Sequence, residues 1–214
     1  ADTEALSNIL LYHVIAGQAI DAETAISLAP VILETANLDS VAVTSREDGL
    51  FVNNAKVVIR DVEASNGIIH AIDVVLIPPS DAEPTGNIVE VAISNGFDTL
   101  VTAVIAAGLD TVLADESQTF TVFAPTDAAF SALGQDTLDA LLADIPALTN
   151  VLLYHVVSGQ AVSSITAYTL VGSAIQMANN DTALISQEGP SLAIAGVKIE
   201  VTDVPATNGV IHVI

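Results

Sequence analysis

The 214 residues carry 26 acidic against 4 basic side chains, a formal net charge of −22, and such a surface repels phosphate backbones, which argues against nucleic acid as a partner. The absence of cysteine removes disulfide scaffolds, thiolate metal sites and thiol nucleophiles from consideration. Apolar residues make up 51 % and the mean hydropathy is +0.62, yet no unbroken apolar run approaches the roughly 18–20 residues of a membrane span, so this hydrophobicity reads as core.

In chain order, Leu6, Ile9, Leu10 and His13 fall at helical spacing, and the same spacing returns at Leu148, Val151, Leu152 and His155. It predicts two short helices with both histidines on the apolar stripe. Tyr12 and Tyr154 fall at its edge, where a ring packs while the hydroxyl reaches water or a polar partner. Asp2 and Asp144 are the expected N-caps, and Gly17 and Gly159 the left-handed residues that close each segment. A short acidic segment from Asp21 leads into strands at Val41–Val43, Leu50–Val52 and Lys56–Arg60, with turns at Asp48-Gly49 and Asn53-Asn54. Asn66-Gly67 marks a tight turn before a last strand.

Pro78 to Gly86 has linker composition, stiffened by its prolines. From Asn87 the pattern is helical. Ile88, Val91 and Ala92, then Leu100, Val101, Val104 and Ile105, are expected core faces, with Gly96 and Gly108 at the helix ends. Thr119–Ala124 reads as a strand stopped by Pro125, Thr126 or Asp127 as a cap, and residues 136–142 as a further helix. Strands are expected at Tyr168–Val171, Ala174–Met177, Thr182–Ser186, Leu192–Ala195, Val197–Thr202 and from Val210 onward.

The repeat has one period. His13 and His155 stand 142 positions apart (155 − 13), as do Lys56 and Lys198, and His70 and His212. That is the size of a domain, not of a solenoid repeat. The expected organisation is a C-terminal half-domain at 1–79, a linker at 80–86, and a second domain at 87–214 lacking its final strand end. The chain then reads as a window from a longer protein. Exchange of segments between copies is the alternative, but the two gaps do not match in size. Helices first and strands second predict an α+β fold with a helical layer packed on a twisted β-sandwich, in tandem.

Three motifs carry a family likeness. Thr121-Val122-Phe123-Ala124-Pro125-Thr126-Asp127-Ala128-Ala129-Phe130, the Leu-Tyr-His-Val core at Tyr12-His13 and Tyr154-His155, and Asn208-Gly209-Val210-Ile211-His212-Val213-Ile214 together resemble the fasciclin-like domain family. The segment Asn66–Pro78 is similar to the closing motif in fuller form. The resemblance implies an extracellular, secreted or cell-surface adhesion module without catalysis. Its partner would be a protein or extracellular matrix, copies of itself included, and Tyr12, His13, Tyr154 and His155 would be the binding residues. Helical spacing offers a second role for the histidines, as satisfied structural side chains. His70, His212, Asn66, Asn208 and Asp127 are expected to be structural, with Asp127 bonded to a histidine of the second domain.

The repeat accounts for all four histidines, so no metal ligand set, cofactor or catalytic group is expected, and no phosphate loop, nucleophile elbow or zinc-helix motif occurs. Residues 61–67 come nearest to a calcium loop but place the glycine one position late. A carrier of an apolar small molecule such as a pigment, held between helices and sheet, is the alternative function. Asn180-Asp181-Thr182 matches a glycosylation acceptor in a turn, where an unmodified asparagine is the simpler expectation.

Overall fold

The computed structural model describes residues 3–79 and 82–214; the expected cap Asp2 and two residues of the expected linker, Ser80 and Asp81, lie outside them. The chain gathers into two compact units. Ala1–Pro79, Ser164–Val171 and Gln187–Leu192 form one, and Ser80–Ser163, Gly172–Ser186 and Ala193–Ile214 the other.

The first unit starts with α1 (Thr3–Tyr12) and α2 (Ala22–Leu28). The Asp21 carboxylate accepts the Thr24 N–H at 2.7 Å, which starts α2 and holds that carboxyl below its usual range. Five strands follow as an antiparallel meander in chain order: β1 (Val31–Glu34), β2 (Ser40–Arg46), β3 (Gly49–Val52), β4 (Ala55–Ala64) and β5 (Gly67–Ile72). Val41 to Thr44 are buried on both faces of β2. One small core joins Ala22 and Ala25 of α2 to Val43, Leu50 and Val57; another joins Tyr12, Val41, Ala55 and Leu76.

In the second half come α3 (Ile88–Ser94), α4 (Asp98–Ala106), α5 (Asp110–Leu113), β6 (Phe120–Ala124), α6 (Asp127–Leu133), α7 (Gln135–Ala143), α8 (Ile145–Leu153) and β7 (Val156–Ser158). They are followed by α9 (Ser164–Thr169), β8 (Ala174–Gln176), β9 (Thr182–Glu188), β10 (Ser191–Ile194), β11 (Val197–Lys198), β12 (Val201–Ala206) and β13 (Gly209–Val213). Asn87 starts α3 with a full capping box, exchanging side-chain and backbone bonds with Glu90. Gly96 and Gly108, at φ +74° and +67°, follow α3 and α4 as expected.

One sheet runs β12-β13-β6-β7 and another β11-β10-β9-β8. β6 is central in the first, parallel to β13 (Phe120↔Gly209 to Ala124↔Val213) and antiparallel to β7. All five of its residues are buried, which is why the segment is continuously apolar or threonine. On one face Phe120, Val122 and Ala124 join Ile88, Val91, Leu100, Val104, Leu148, Leu152 and Ile211 in the main core, each large side chain contributing about 1.5–3 kcal/mol over exposure. The architecture is α+β in tandem.

Three local expectations are corrected. Tyr168 and Thr169 end a helix, α9, where a strand was read; a short apolar run is ambiguous by period, and burial of Ile165 and Ala167 favours the helix. Val101 is only half-buried and Ile105 is 57 % exposed, so the core stripe of α4 is narrower than its apolar residues suggest. The Tyr-His helices stop early. α8 ends at Leu153 and the β-branched pair Val156-Val157 continues as β7, buried against β6.

Candidate functional site

Tyr154 and His155 stand in the turn that leaves α8, whose start is capped by the Asp144 carboxylate on the Ala147 N–H at 3.1 Å. The His155 Nδ1–H donates to the Val151 carbonyl at 2.7 Å, and that of His13 to the Ile9 carbonyl at 2.7 Å. In both copies the imidazole thus closes the last turn of the helix, satisfying a carbonyl that the helix leaves free. This corrects the expectation that the histidines face the core: His13 is exposed and His155 half-buried. The spacing rule fails here because the helix has already ended. His13 is held on its second nitrogen too, where Nε2 accepts the Leu76 N–H at 3.0 Å.

The tyrosines differ. Tyr12 is 1 % exposed; its hydroxyl donates to the Ser40 carbonyl at 2.8 Å and accepts from the Asn53 amide at 2.9 Å. A buried ring offers a partner no surface, so of the four expected binding residues Tyr12 is withdrawn from contact. Tyr154 is half-buried, edge-on to His155 at 6.3 Å, with its hydroxyl 3.4 Å from the equivalent carbonyl, Thr182. Asn53 was read only as a turn residue. It sits at φ +51°, and its side chain also accepts the Ala42 N–H at 2.7 Å.

His70 and His212 make the same pair of bonds. Nε2–H of His212 donates to the Val162 carbonyl at 2.7 Å while Nδ1 accepts the Asp203 N–H at 3.3 Å; for His70 the partners are Ile20 at 2.8 Å and Asp61 at 3.5 Å. Asp61 and Asp203 both lie in the left-handed region, at φ +57° and +60°, where a bulge shifts the register of β4 against β5 and of β12 against β13. Phe123 stacks on His212 at 5.6 Å. Burial pushes the His212 imidazole below its ordinary value, against the bond to Val162 and the charge of Asp203.

Asp127 is structural by another route than expected: its carboxylate accepts the Thr99 N–H at 3.0 Å at the start of α4, and His212 has other partners. A carboxylate adjoining a helix start already finds a free N–H close by, so no histidine is needed. Thr126 caps α6. Asn208, 3 % exposed, accepts the Ile88 N–H at 2.9 Å and donates to the Leu113 carbonyl at 2.8 Å, tying its turn to two helices. Its counterpart Asn66 stands exposed.

Two features were missed in the sequence. Thr121, fully buried, donates to the Gln160 carbonyl at 2.9 Å and accepts the Val162 N–H at 2.8 Å. A Cβ on Gly209 would fall on the Phe120 carbonyl, so this glycine serves a close approach of two strands as well as a turn. A threonine flanked by large apolar residues in a central strand was the available signal.

The first unit holds an open groove of about 470 Å³, lined by aliphatics such as Val14, Ile15, Ile20 and Ile69 together with His13 and His70. Among the described residues no three His, Asp or Glu side chains are grouped to hold a metal ion, and no helix is long and apolar enough to cross a membrane.

The description "Fasciclin domain" matches residues 1–78 and 95–214. The protein sll1735 of Synechocystis sp. is 40 % identical over 129 residues, covering 60 % of this chain and 93 % of that protein. Transforming growth factor-beta-induced protein ig-h3 of Sus scrofa is 36 % identical over 166 residues, and the chain spans 76 % of itself but 23 % of that relative. In fold, the chain is similar to a solved FAS1 domain pair from the insect cell adhesion molecule fasciclin I, with a TM-score of 0.53 at 20 % identity over 99 % of this chain and 79 % of that one. With two matched segments spanning all but the middle of its length, the chain belongs to the fasciclin domain family.

Proposed function

We propose that this chain is an extracellular or cell-surface adhesion and structural module, acting through protein or matrix contacts, other copies of itself included, and without catalysis. The observation that carries this reading is the family match along both segments, supported by the likeness in fold to a domain pair from a cell adhesion molecule. The side chains agree with it. The histidines are engaged in holding helix ends and strand bulges, the arrangement of a scaffold that presents surfaces. Half-buried Tyr154 and His155 are the residues of the Tyr-His motif best placed to touch a partner in the second unit, and exposed His13 in the first.

Purified protein should associate with itself, with cells or with matrix polysaccharide, and self-association should strengthen with salt as the charge of −22 is screened. Light scattering across a salt series, with a cell-binding assay beside it, tests this; a monomer inert to all three partners defeats it.

The groove of about 470 Å³ favours a second reading, carriage of an apolar small molecule. A coloured preparation, or saturable uptake of an apolar dye, supports the carrier. A colourless protein that takes up no dye removes it.

A further inference from the structure

Three of the four basic residues of the chain converge on one corner of the first unit. The Arg46 guanidinium lies over the Phe51 ring at 4.4 Å, and the Lys56 ammonium stands 5.7 Å from the same ring. A Cβ on Gly49 would lie 3.8 Å from Lys56 Nζ and 3.9 Å from an Arg60 guanidinium nitrogen, so these two cations flank one point above the turn. Among the described residues a single carboxylate pairs with the three: Asp48, 3.6 Å from Lys56 and itself mostly exposed. Arg46 donates instead to the Gln187 side-chain carbonyl at 2.6 Å and to the Thr44 hydroxyl at 3.2 Å. In a chain of net charge −22 this corner is locally positive.

The feature belongs to one copy of the repeat. Arg46, Lys56 and Arg60 are matched 142 positions later by Glu188, Lys198 and Thr202. Lys198 and Thr202 are exposed, as Arg60 is, so these are outer positions in both copies. Between Arg60 and Lys198 the chain has acidic residues throughout and not one Lys or Arg. Asp136 and Asp139 stand exposed one turn apart on α7, and among the described residues one hydrogen bond reaches the pair, from the Gln135 amide to Asp139 at 2.8 Å. Asp115, Asp127 and Asp144, by contrast, accept backbone N–H groups of their own unit.

We propose that the corner formed by Arg46, Lys56 and Arg60 docks the α7 carboxylates of a second copy. Side chains at i and i+3 on a helix have Cβ atoms about 5–6 Å apart, which lets Asp136 and Asp139 address two neighbouring cations together. The two surfaces differ, so the contact is heterologous and propagates from head to tail. Like-charged copies repel at range, but that repulsion is screened beyond about 8 Å at physiological ionic strength, where a close contact between opposite charges persists. A long polyanion is the poorer occupant, because it must also lie along a surface of net charge −22, whereas a helix brings two carboxylates to one spot. The inference rests on the self-associating part of the adhesive reading and gives it a surface.

The test is sedimentation equilibrium of the full 214-residue chain across a salt series. Association should rise to about 0.15 M salt and fall again toward about 1 M, where the Debye length of about 3 Å screens the pairs themselves. A Lys56→Glu, Arg60→Glu chain and an Asp136→Lys, Asp139→Lys chain should each melt like the parent, yet self-associate at least about tenfold more weakly. An equimolar mixture of the two should associate again, since each then presents the charge that the other lacks. Undiminished association in either variant, no recovery in the mixture, or a steady rise to 1 M salt overturns the proposal. So does retention on a sulfated polysaccharide that the Lys56→Glu, Arg60→Glu chain loses, which would make that polymer the occupant. A parent that stays monomeric at every salt concentration but binds cells or matrix overturns this inference and leaves the adhesive reading standing.

Discussion

The two copies of one sequence pattern differ most where the residues agree most. Leu148 and Leu152 are 2 % and 5 % exposed, while their counterparts Leu6 and Leu10 are 55 % and 59 % exposed. The bonds between neighbours in the copy survive intact: His13 and His155 close their helices on the same carbonyl, and His70 and His212 hold the same bulge. Local hydrogen bonding is therefore a property of the repeated stretch, whereas burial belongs to whatever packs over it. In the second unit α3, α4 and β6 join Leu148 and Leu152 in the main core.

The sharpest way to break the comparison is the glycine pair. Gly209→Ala should destabilise the second unit by about 4 kcal/mol or more, since its Cβ meets backbone, while Gly67→Ala should stay within about 1 kcal/mol. Denaturant melts of both variants check this; equal effects would dissolve the distinction. Next comes the isoleucine pair. Ile211→Ala should cost about 2–5 kcal/mol as a fully buried large-to-small change, and Ile69→Ala about 0.5 kcal/mol or less. Tyrosine runs in the opposite sense. Tyr12→Phe removes the hydroxyl that bonds both the buried Asn53 amide and the Ser40 carbonyl, at about 1–3 kcal/mol. Tyr154→Phe removes one long bond at a half-exposed site and should cost about 0.5 kcal/mol or less.

The smallest expected effect is a pH step. Burial depresses the His212 pKa, so the unfolded chain takes up a proton before the folded one does. Its neutral form supports the fold fully above the unfolded value of about 6.5. As pH falls through that value toward the depressed one, the support is lost. Melting temperature followed from pH 8 to pH 5 should drop more in the parent than in a His212→Gln chain, which has no titrating group at that position. Parallel curves would remove His212 as the source.

Much of this was legible in the residues. The period of 142, the caps at Asp144 and Thr126, the glycine stops and the strand at Thr119–Ala124 were all read from the residues, and each has its counterpart in the structure. Motif order likewise carried the family. The site was read less well. Histidine at i+7 from a leucine was expected inside, but the helix had ended two residues before it, so the ring turned to cap the helix. Asp127 was assigned a histidine and bonds a backbone amide 28 residues away.

Periodicity, capping and turn residues act within a few positions along the chain, so the amino-acid order alone sufficed for the elements and for their tandem arrangement. Which tyrosine is buried, which glycine is crowded and which isoleucine is bare depend on segments brought alongside from far away: Asn53 beside Tyr12, Phe120 beside Gly209. Closely similar stretches met different neighbours, and no local pattern records that difference, because burial is created by the neighbour and not by the residue.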